Sequence, residues 1–197
     1  MNDEQDSHPV RLTPLRAQHR WLRIAAPAFL FLATIAGSTG AQTTRRVVIQ
    51  LPGYGTPILL DTLGLWRDVP AKASDVYRIV TGVYEALSIA DRMNDPVGRY
   101  VGNTGFRKSR TLAGGPMSRL IECGSGMTGP NADLYRINLA IVTRVESLGE
   151  GKARLRSALV ASGEDVSGPS RDLVACGSTG ALEARIHDLV LQRLRAR

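Results

Sequence analysis

The sequence predicts an α+β domain of two layers, in which a mostly antiparallel sheet is packed by two amphipathic helices. Two long runs alternate residues between two faces around a glycine-containing turn, and this pattern is typical of a β-hairpin. Two other stretches repeat apolar residues at helical spacing, so each helix must bury one face. The chain has no long β-α-β alternation, which would indicate a parallel sheet.

The N-terminal stretch predicts a secretory signal peptide over residues 1–41. An uncharged apolar run, Ile24–Ala36, follows several arginines and precedes the small residues GSTGAQ. A basic region, a short apolar run and a small-residue exit are the marks of such a signal, and we place its cleavage after Ala41. The run is shorter than the roughly 20 residues that span a bilayer, but an uncleaved signal anchor is the alternative. Residues 42–197 are long enough for a single domain with its own core, and we expect no membrane span in them.

The chain has only two cysteines, Cys123 and Cys176, and each begins a Cys-Gly-Ser sequence. Their separation does not fit a Cys-x-x-Cys redox motif. A four-ligand zinc site would need carboxylates, because His187 is the one histidine beyond the signal. Exported proteins meet an oxidising compartment, so we predict a disulfide between the two cysteines and neither a metal nor a cofactor. Two free buried thiols are the alternative.

The first half of the domain combines short strands with one helix. Residues 45–51 predict a strand because β-branched residues dominate, and Ile58–Trp66 is a strand or the apolar lining of a loop. Ala73–Ala90 predicts a helix with Ser74 as the N-cap. Its buried face comprises Val76, Ile79, Val80, Val83 and Leu87.

The second half carries the clearest β signal. Val97–Asn103 and Phe106–Leu112 predict short strands joined tightly at Gly105, and Pro116–Cys123 predicts a short helix. Leu134–Glu146 and Ala153–Ser162 predict the long hairpin. The last helix is capped by Ser178 or Thr179, and its apolar stripe comprises Leu182, Ile186, Leu189, Val190 and Leu194.

The arginines of the hairpin suggest a binding face. The net charge is +7, which permits an anionic partner. Arg136 and Arg144 share one face of the first hairpin strand, and Arg154 and Arg156 share one face of the second. If the register brings these four together, the sheet has a basic face toward solvent that could hold phosphate, an acidic polysaccharide or an acidic protein. The alternative is a charged face that serves solubility and opposes edge pairing. We expect no nucleic acid as partner outside the cytoplasm.

Catalytic motifs are weak in this sequence. A Ser-His-Asp arrangement would have to use His187, which falls off the apolar stripe and is predicted to be solvated. Neither glycine-rich stretch ends in Gly-Lys-Ser or Gly-Lys-Thr, so no phosphate loop is indicated. The GSTG sequence before the last helix could bind an anion, but ordinary capping is the preferred interpretation. A secreted hydrolase would need two carboxylates in one cleft, and its candidates are Glu122, Asp133, Glu164 and Asp165.

The predicted order is strand, helix, one or two strands, short helix, long hairpin and helix. From about Val47 to Leu194 this order resembles the helix-grip domains of bacterial envelope lipoproteins, such as the accessory subunits of the outer-membrane barrel-assembly machinery. The resemblance lies in element order, and the lipid-bearing cysteine of those proteins is absent. It implies a binding or assembly role.

We therefore expect an exported module of the bacterial envelope, located in the periplasm, at the cell envelope or outside the cell, without catalytic activity. Its partner would be an envelope protein or an anionic polymer. A secreted hydrolase that uses carboxylates, or a structural domain of unknown role, is the alternative.

Overall fold

A computed structural model describes residues 46–60, 63–167 and 171–197, and the predicted signal peptide lies outside these residues. The described residues belong to one compact unit. Their strands are mostly antiparallel, and two long helices pack against one sheet, which confirms the α+β class. No helix of the described residues is long and apolar enough to cross a membrane.

The strands, in chain order, are β1 (Val48–Ile49), β2 (Ile58–Leu59), β3 (Leu65–Val69), β4 (Met93–Asp95), β5 (Tyr100–Ser109), β6 (Thr111–Leu112), β7 (Gly115–Pro116), β8 (Ile121–Glu122), β9 (Ser125–Gly126), β10 (Gly129–Pro130), β11 (Arg136–Gly149), β12 (Lys152–Glu164) and β13 (Leu173–Ser178). The helices are α1 (Ala73–Ala86), α2 (Asn131–Leu134) and α3 (Ala181–Arg195), and Met117–Arg119 forms a 3-10 turn.

The principal sheet is built around the hairpin of β11 and β12, whose alternating residues are the clearest β signal in the sequence. Its strands follow the order β4-β5-β11-β12-β13-β8, and all neighbours are antiparallel. The outer edge of β12 is shared by two strands: β3 pairs with Ala153–Ser157, and β13 pairs with Ala161–Glu164. Between these two ladders, β12 has no strand partner on this edge among the described residues.

The larger core lies between the sheet and the helices α1 and α3. Both helices present their apolar stripes to the odd-numbered residues of the hairpin, such as Ile141 and Leu155, which are fully buried. Burying one large apolar side chain stabilises the fold by about 1.5–3 kcal/mol, so this layer contributes most of the hydrophobic stabilisation. The buried residues of α1 are Ala73, Val76, Ile79, Val80, Val83 and Tyr84.

A second, smaller core covers the middle of the opposite sheet face. The segment that includes β1 and β2 packs there against even-numbered hairpin residues. This cluster comprises Val47, Ile49, Leu51, Leu60, Tyr100, Ala140, Val142, Ala158 and Val160. The expectation that this whole face is open to solvent is therefore wrong for its middle, because small apolar residues occupy the central positions and need a cover.

Several local predictions need correction. The two strands that we expected on either side of Gly105 form one strand, β5, whose register with β11 shifts at an irregularity opposite Leu139 and Ile141. Pro116–Cys123 is a 3-10 turn followed by β8 rather than a helix. Strand β13, which ends shortly before the last helix, was not predicted from the sequence.

The helix caps differ from those expected as well. The N-cap of helix α1 is Lys72, which lies two residues before the predicted N-cap, Ser74. The N-cap of α3 is Gly180, which adopts a left-handed conformation with φ of 81° and has no capping side chain. Ser178 still serves this turn, because its hydroxyl oxygen accepts a hydrogen bond from the N–H of Gly180 at 3.0 Å.

Candidate functional site

The four hairpin arginines lie on the same face of the sheet, as their alternation suggested. Arg144 pairs directly with Arg156 in the register of β11 and β12, and Arg154 is two residues from Arg156. Arg136 lies at the far end of the hairpin, where it faces Glu164 across the ladder. The covered middle of the face separates Arg136 from the other three.

The three clustered arginines share their end of the face with an exposed tryptophan from β3. The guanidinium carbon of Arg154 lies 4.6 Å from the centre of the Trp66 ring, which is a cation–π distance. Trp66 itself is 60% exposed. We call this group, Trp66 with Arg144, Arg154 and Arg156, the arginine–tryptophan surface. Large aromatic and arginine side chains of this kind are the residues that are enriched at protein interfaces.

Carboxylates balance much of the positive charge at this surface. Arg154 donates two hydrogen bonds to Asp68, at 2.6 and 3.1 Å, and this contact lowers the pKa of the Asp68 carboxyl. Arg144 lies 3.2 Å from a carboxylate oxygen of Glu146. Arg136 is 3.6 Å from Glu164 at the other end of the hairpin. The face therefore presents paired charges rather than a row of uncompensated cations.

The edge of β12 carries a second feature, which we call the β12 notch: the stretch Ala158–Val160 between the ladders of β3 and β13. Side chains take the place of a strand here. The N–H of Leu159 donates to Oε1 of Glu183 at 3.3 Å, and the hydroxyl of Tyr54 donates to the C=O of Ala161 at 3.0 Å. Buried backbone groups need such partners, so these contacts allow the sheet edge to stay open.

A cleft of about 470 Å³ opens over the notch. Its walls are the start of β3, the end of β13 and the segment that leads into β2. Its lining residues are Tyr54, Ile58, Leu63, Gly64, Leu65, Leu159, Val160, Cys176, Ser178, Thr179, Gly180 and Glu183. Gly64 is required where the chain crosses β12, because a Cβ there would lie 2.0 Å from the carbonyl oxygen of Ser157 and its φ is +91°.

Glu183 is the most unusual side chain of the cleft. It sits in the first turn of α3 and is only 2% exposed. Its Oε1 accepts hydrogen bonds from Leu159 and from the Ser178 hydroxyl, at 3.3 and 2.7 Å. Its Oε2 is buried and has no hydrogen-bond partner within the described part of the chain. Burial raises the pKa of this carboxyl above its ordinary value, because the charged form loses its hydration.

The predicted disulfide between Cys123 and Cys176 is formed, with an S–S distance of 2.06 Å and a Cα–Cα distance of 4.4 Å. It joins β13 to the residue that follows β8, and the two strands also pair at Gly177 and Glu122. The last helix therefore leaves a strand that is covalently bound to the rest of the domain.

His187 is buried, which corrects the prediction that it is solvated. It is 2% exposed, and its Nε2 lies 3.1 Å from the hydroxyl oxygen of Ser157. The same hydroxyl is 2.7 Å from that of Thr143, which in turn is 3.0 Å from that of Tyr84. This polar chain runs between the helices and the sheet, and all four residues are buried, so it positions these elements rather than presenting a nucleophile to a substrate.

The four carboxylates considered for a hydrolase have different local surroundings. Asp133 accepts hydrogen bonds from the N–H and hydroxyl of Ser118, and Glu164 lies near Arg136 and Arg171. Asp165 accepts from Ser167, and Glu122 lies in β8. None of the four lines the cleft over the notch. In the described ranges, no three His, Cys, Asp or Glu side chains come together as a metal site would require.

Glu183 and Trp66 were not predicted as site residues from the sequence. A glutamate in the first turn of a helix normally interacts with the helix dipole in solvent, so the pattern gave no sign of its burial. The sequence matches no protein-family model, and no curated protein matches it.

Proposed function

We propose that this protein is an exported binding or assembly module of the bacterial envelope, and that the arginine–tryptophan surface contacts its partner. The disulfide supports export, because such bonds persist in oxidising compartments. The element order, which resembles that of helix-grip envelope domains, supports a binding or assembly role.

The observation that carries the binding proposal is the contact between Trp66 and Arg154. Trp66 is 60% exposed although it lies on a sheet face, and its ring and the Arg154 guanidinium hold each other in a defined position. Ordering a side chain before binding lowers the entropy that association would otherwise cost. Tryptophan and arginine are also the residues most often found to dominate interface energies.

The charge pairs favour a protein as the partner over an anionic polymer. An acidic polymer would meet the carboxylate of Asp68 beside Arg154 and that of Glu146 beside Arg144. A protein with both signs of charge could match this pattern, and paired charges across an interface determine specificity and orientation.

The test is retention of the protein on isolated bacterial envelopes. Reversing the charge of Arg144 and Arg156 with glutamate should reduce retention at least about tenfold, and Trp66→Ala should reduce it as well. The matched control reverses Arg195 and Arg197, two exposed arginines at the end of the last helix, and changes the net charge equally. Unchanged retention of the first variant, or equal loss in the control, would contradict the proposal.

Salt separates the two classes of partner. An anionic polymer held by ionic contacts should be released steeply as the salt concentration rises, because exposed charges are screened over about 8–10 Å at physiological ionic strength. The complex with a protein partner that covers Trp66 should persist at about 0.5 M salt, because salt screens exposed charges but does not weaken the burial of the tryptophan ring.

A further inference from the structure

The cleft over the β12 notch has the properties of a ligand site that is separate from the arginine–tryptophan surface. Its volume of about 470 Å³ falls within the range of roughly 300–1,000 Å³ that is typical of small-molecule sites. Its lining combines apolar side chains, such as Leu63 and Val160, with the polar side chains of Tyr54, Ser178, Thr179 and the buried Glu183. Apolar walls that carry a few placed polar groups are the usual design of such sites.

The carboxylate of Glu183 indicates which chemical group a ligand of the cleft would supply, namely a cationic hydrogen-bond donor. One carboxyl oxygen accepts two hydrogen bonds, from Leu159 and Ser178, while the other has no partner in the described residues. No arginine or lysine of the described ranges forms a salt bridge with this carboxylate. Buried carboxylates are normally paired with a cation, because an isolated charge is costly to remove from water.

The walls specify the rest of the ligand. Leu63 and Leu65 are 42% and 44% exposed, although large apolar side chains of a folded domain are usually covered. Both lie at the cleft together with Ile58 and Val160. An apolar ligand body would cover these side chains, and binding requires side chains of the cleft to shift so that a polar group of the ligand reaches the buried Oε2 atom.

We propose that the cleft binds a small organic ammonium ion with an apolar body, and that the ammonium group donates a hydrogen bond to Oε2 of Glu183. The apolar body lies against Ile58, Leu63, Leu65 and Val160. Binding adds a positive charge beside the carboxylate, which reverses the unfavourable effect of burial on its ionised form. This inference does not depend on the envelope function or on the partner of the arginine–tryptophan surface.

The test compares two probes of the same shape, hexylammonium and hexanol, on the intact wild-type protein. Amide chemical shifts followed by NMR should change saturably with hexylammonium at Leu65, Val160 and Ser178, which line the cleft. Hexanol should bind at least about tenfold more weakly, because it lacks the charge that Glu183 requires. Equal affinity for the two probes, or no saturable change with hexylammonium, would overturn the proposal.

Two variants locate the interaction. Glu183→Gln keeps the size of the side chain and should weaken hexylammonium binding at least about tenfold. Glu146→Gln also neutralises a partly buried carboxylate, but Glu146 pairs with Arg144 away from the cleft, so its affinity should equal that of the wild type. Unchanged affinity in Glu183→Gln would refute the assigned role. If this variant does not fold, the affinities of hexylammonium and hexanol for the wild-type protein still show whether the cleft requires an ammonium group.

Discussion

Nε2 of His187 lies 3.1 Å from the hydroxyl oxygen of Ser157, and both residues are buried between the last helix and the sheet. Loss of hydration is the main cause that lowers the pKa of His187 to about 4, and the positive charge of Arg67 lowers it further. Asp188 acts in the opposite direction, but it already pairs with Arg67 at 2.5 Å. His187 is therefore neutral in the folded protein at pH 7.

This burial predicts a loss of stability in mild acid. The unfolded chain protonates His187 near pH 6.5, whereas the folded protein resists protonation until about pH 4. The stabilisation from a neutral His187 is thus complete above pH 6.5, declines as the pH falls, and is lost near pH 4. The difference corresponds to roughly 3 kcal/mol.

Urea unfolding between pH 4 and pH 8 measures this contribution, with His187→Gln as the reference because glutamine does not titrate. The free energy of unfolding of the wild type should fall more steeply toward pH 4 than that of the variant. If the free energy of unfolding depended on pH in the same way in both proteins, His187 would not be the cause of the lost stability in acid. The carboxylates titrate in both proteins, so the difference between the profiles isolates the histidine.

Removing the Ser157 hydroxyl should destabilise the protein. Ser157→Ala leaves the buried Thr143 hydroxyl and His187 with one hydrogen bond fewer each, at a cost of about 1–3 kcal/mol. Ser162 on the same strand provides a matched control, since it is equally buried but its hydroxyl has no hydrogen-bond partner in the described residues. Ser162→Ala should therefore be neutral or stabilising. Equal losses in urea unfolding would indicate that burial alone, and not the polar chain, sets the effect.

The two strands of the hairpin could be predicted because a period of two over about ten residues or more is a strong strand signal, but the register that joins them was left open. Strand β13 could not, since Leu173–Ser178 is short, contains Cys176 and Gly177, and depends on pairing with β12 and β8. Pairing of this kind is a tertiary contact, and it overrides local propensity.

The candidate sites were only partly visible in the sequence. Alternation placed the arginines of each hairpin strand on one face of that strand, whereas the register that brings the two pairs together comes from the structure. Their carboxylate partners, such as Asp68, come from a different strand. The buried face of α3 includes Glu183, Ile186, His187 and Val190, which repeat at helical spacing. Reading the stripe from apolar residues alone leaves out the two polar members, and this is why His187 was predicted to be solvated and Glu183 was not noticed.

Loss of the disulfide should lower stability without changing the fold of the sheet. The bridge closes a loop with a sequence separation of 53 residues, for which the chain-entropy model gives about 4 kcal/mol. A variant with Cys123→Ala and Cys176→Ala should show this decrease in urea unfolding, and reduction of the wild type should reproduce it. An unchanged midpoint would mean that pairing of β8 with β13 suffices to hold the end of the sheet.

Two glycines of β5 test the corrected description of this region. At Gly102 a Cβ would lie 2.3 Å from the carbonyl oxygen of Ile141, and backbone atoms cannot easily move away. At Gly105 a Cβ would meet nothing within 4 Å, and no left-handed backbone conformation is required there. Gly102→Ala should therefore destabilise the protein by at least about 2 kcal/mol through overpacking, whereas Gly105→Ala should be tolerated.

Destabilisation by Gly105→Ala would instead support the tight turn at Gly105 that the sequence suggested. If Gly105 joined two strands in a tight connection, its flexibility would be needed, and alanine would be costly at that position. In the continuous strand, Gly105 lies near the irregularity opposite Leu139 and Ile141, and its φ is outside the left-handed region. Thermal unfolding of Gly105→Ala, compared with the wild type, decides between a turn and a continuous strand, because only the tight turn needs the flexibility of glycine at this position, whereas Gly102 lies within a strand in both descriptions.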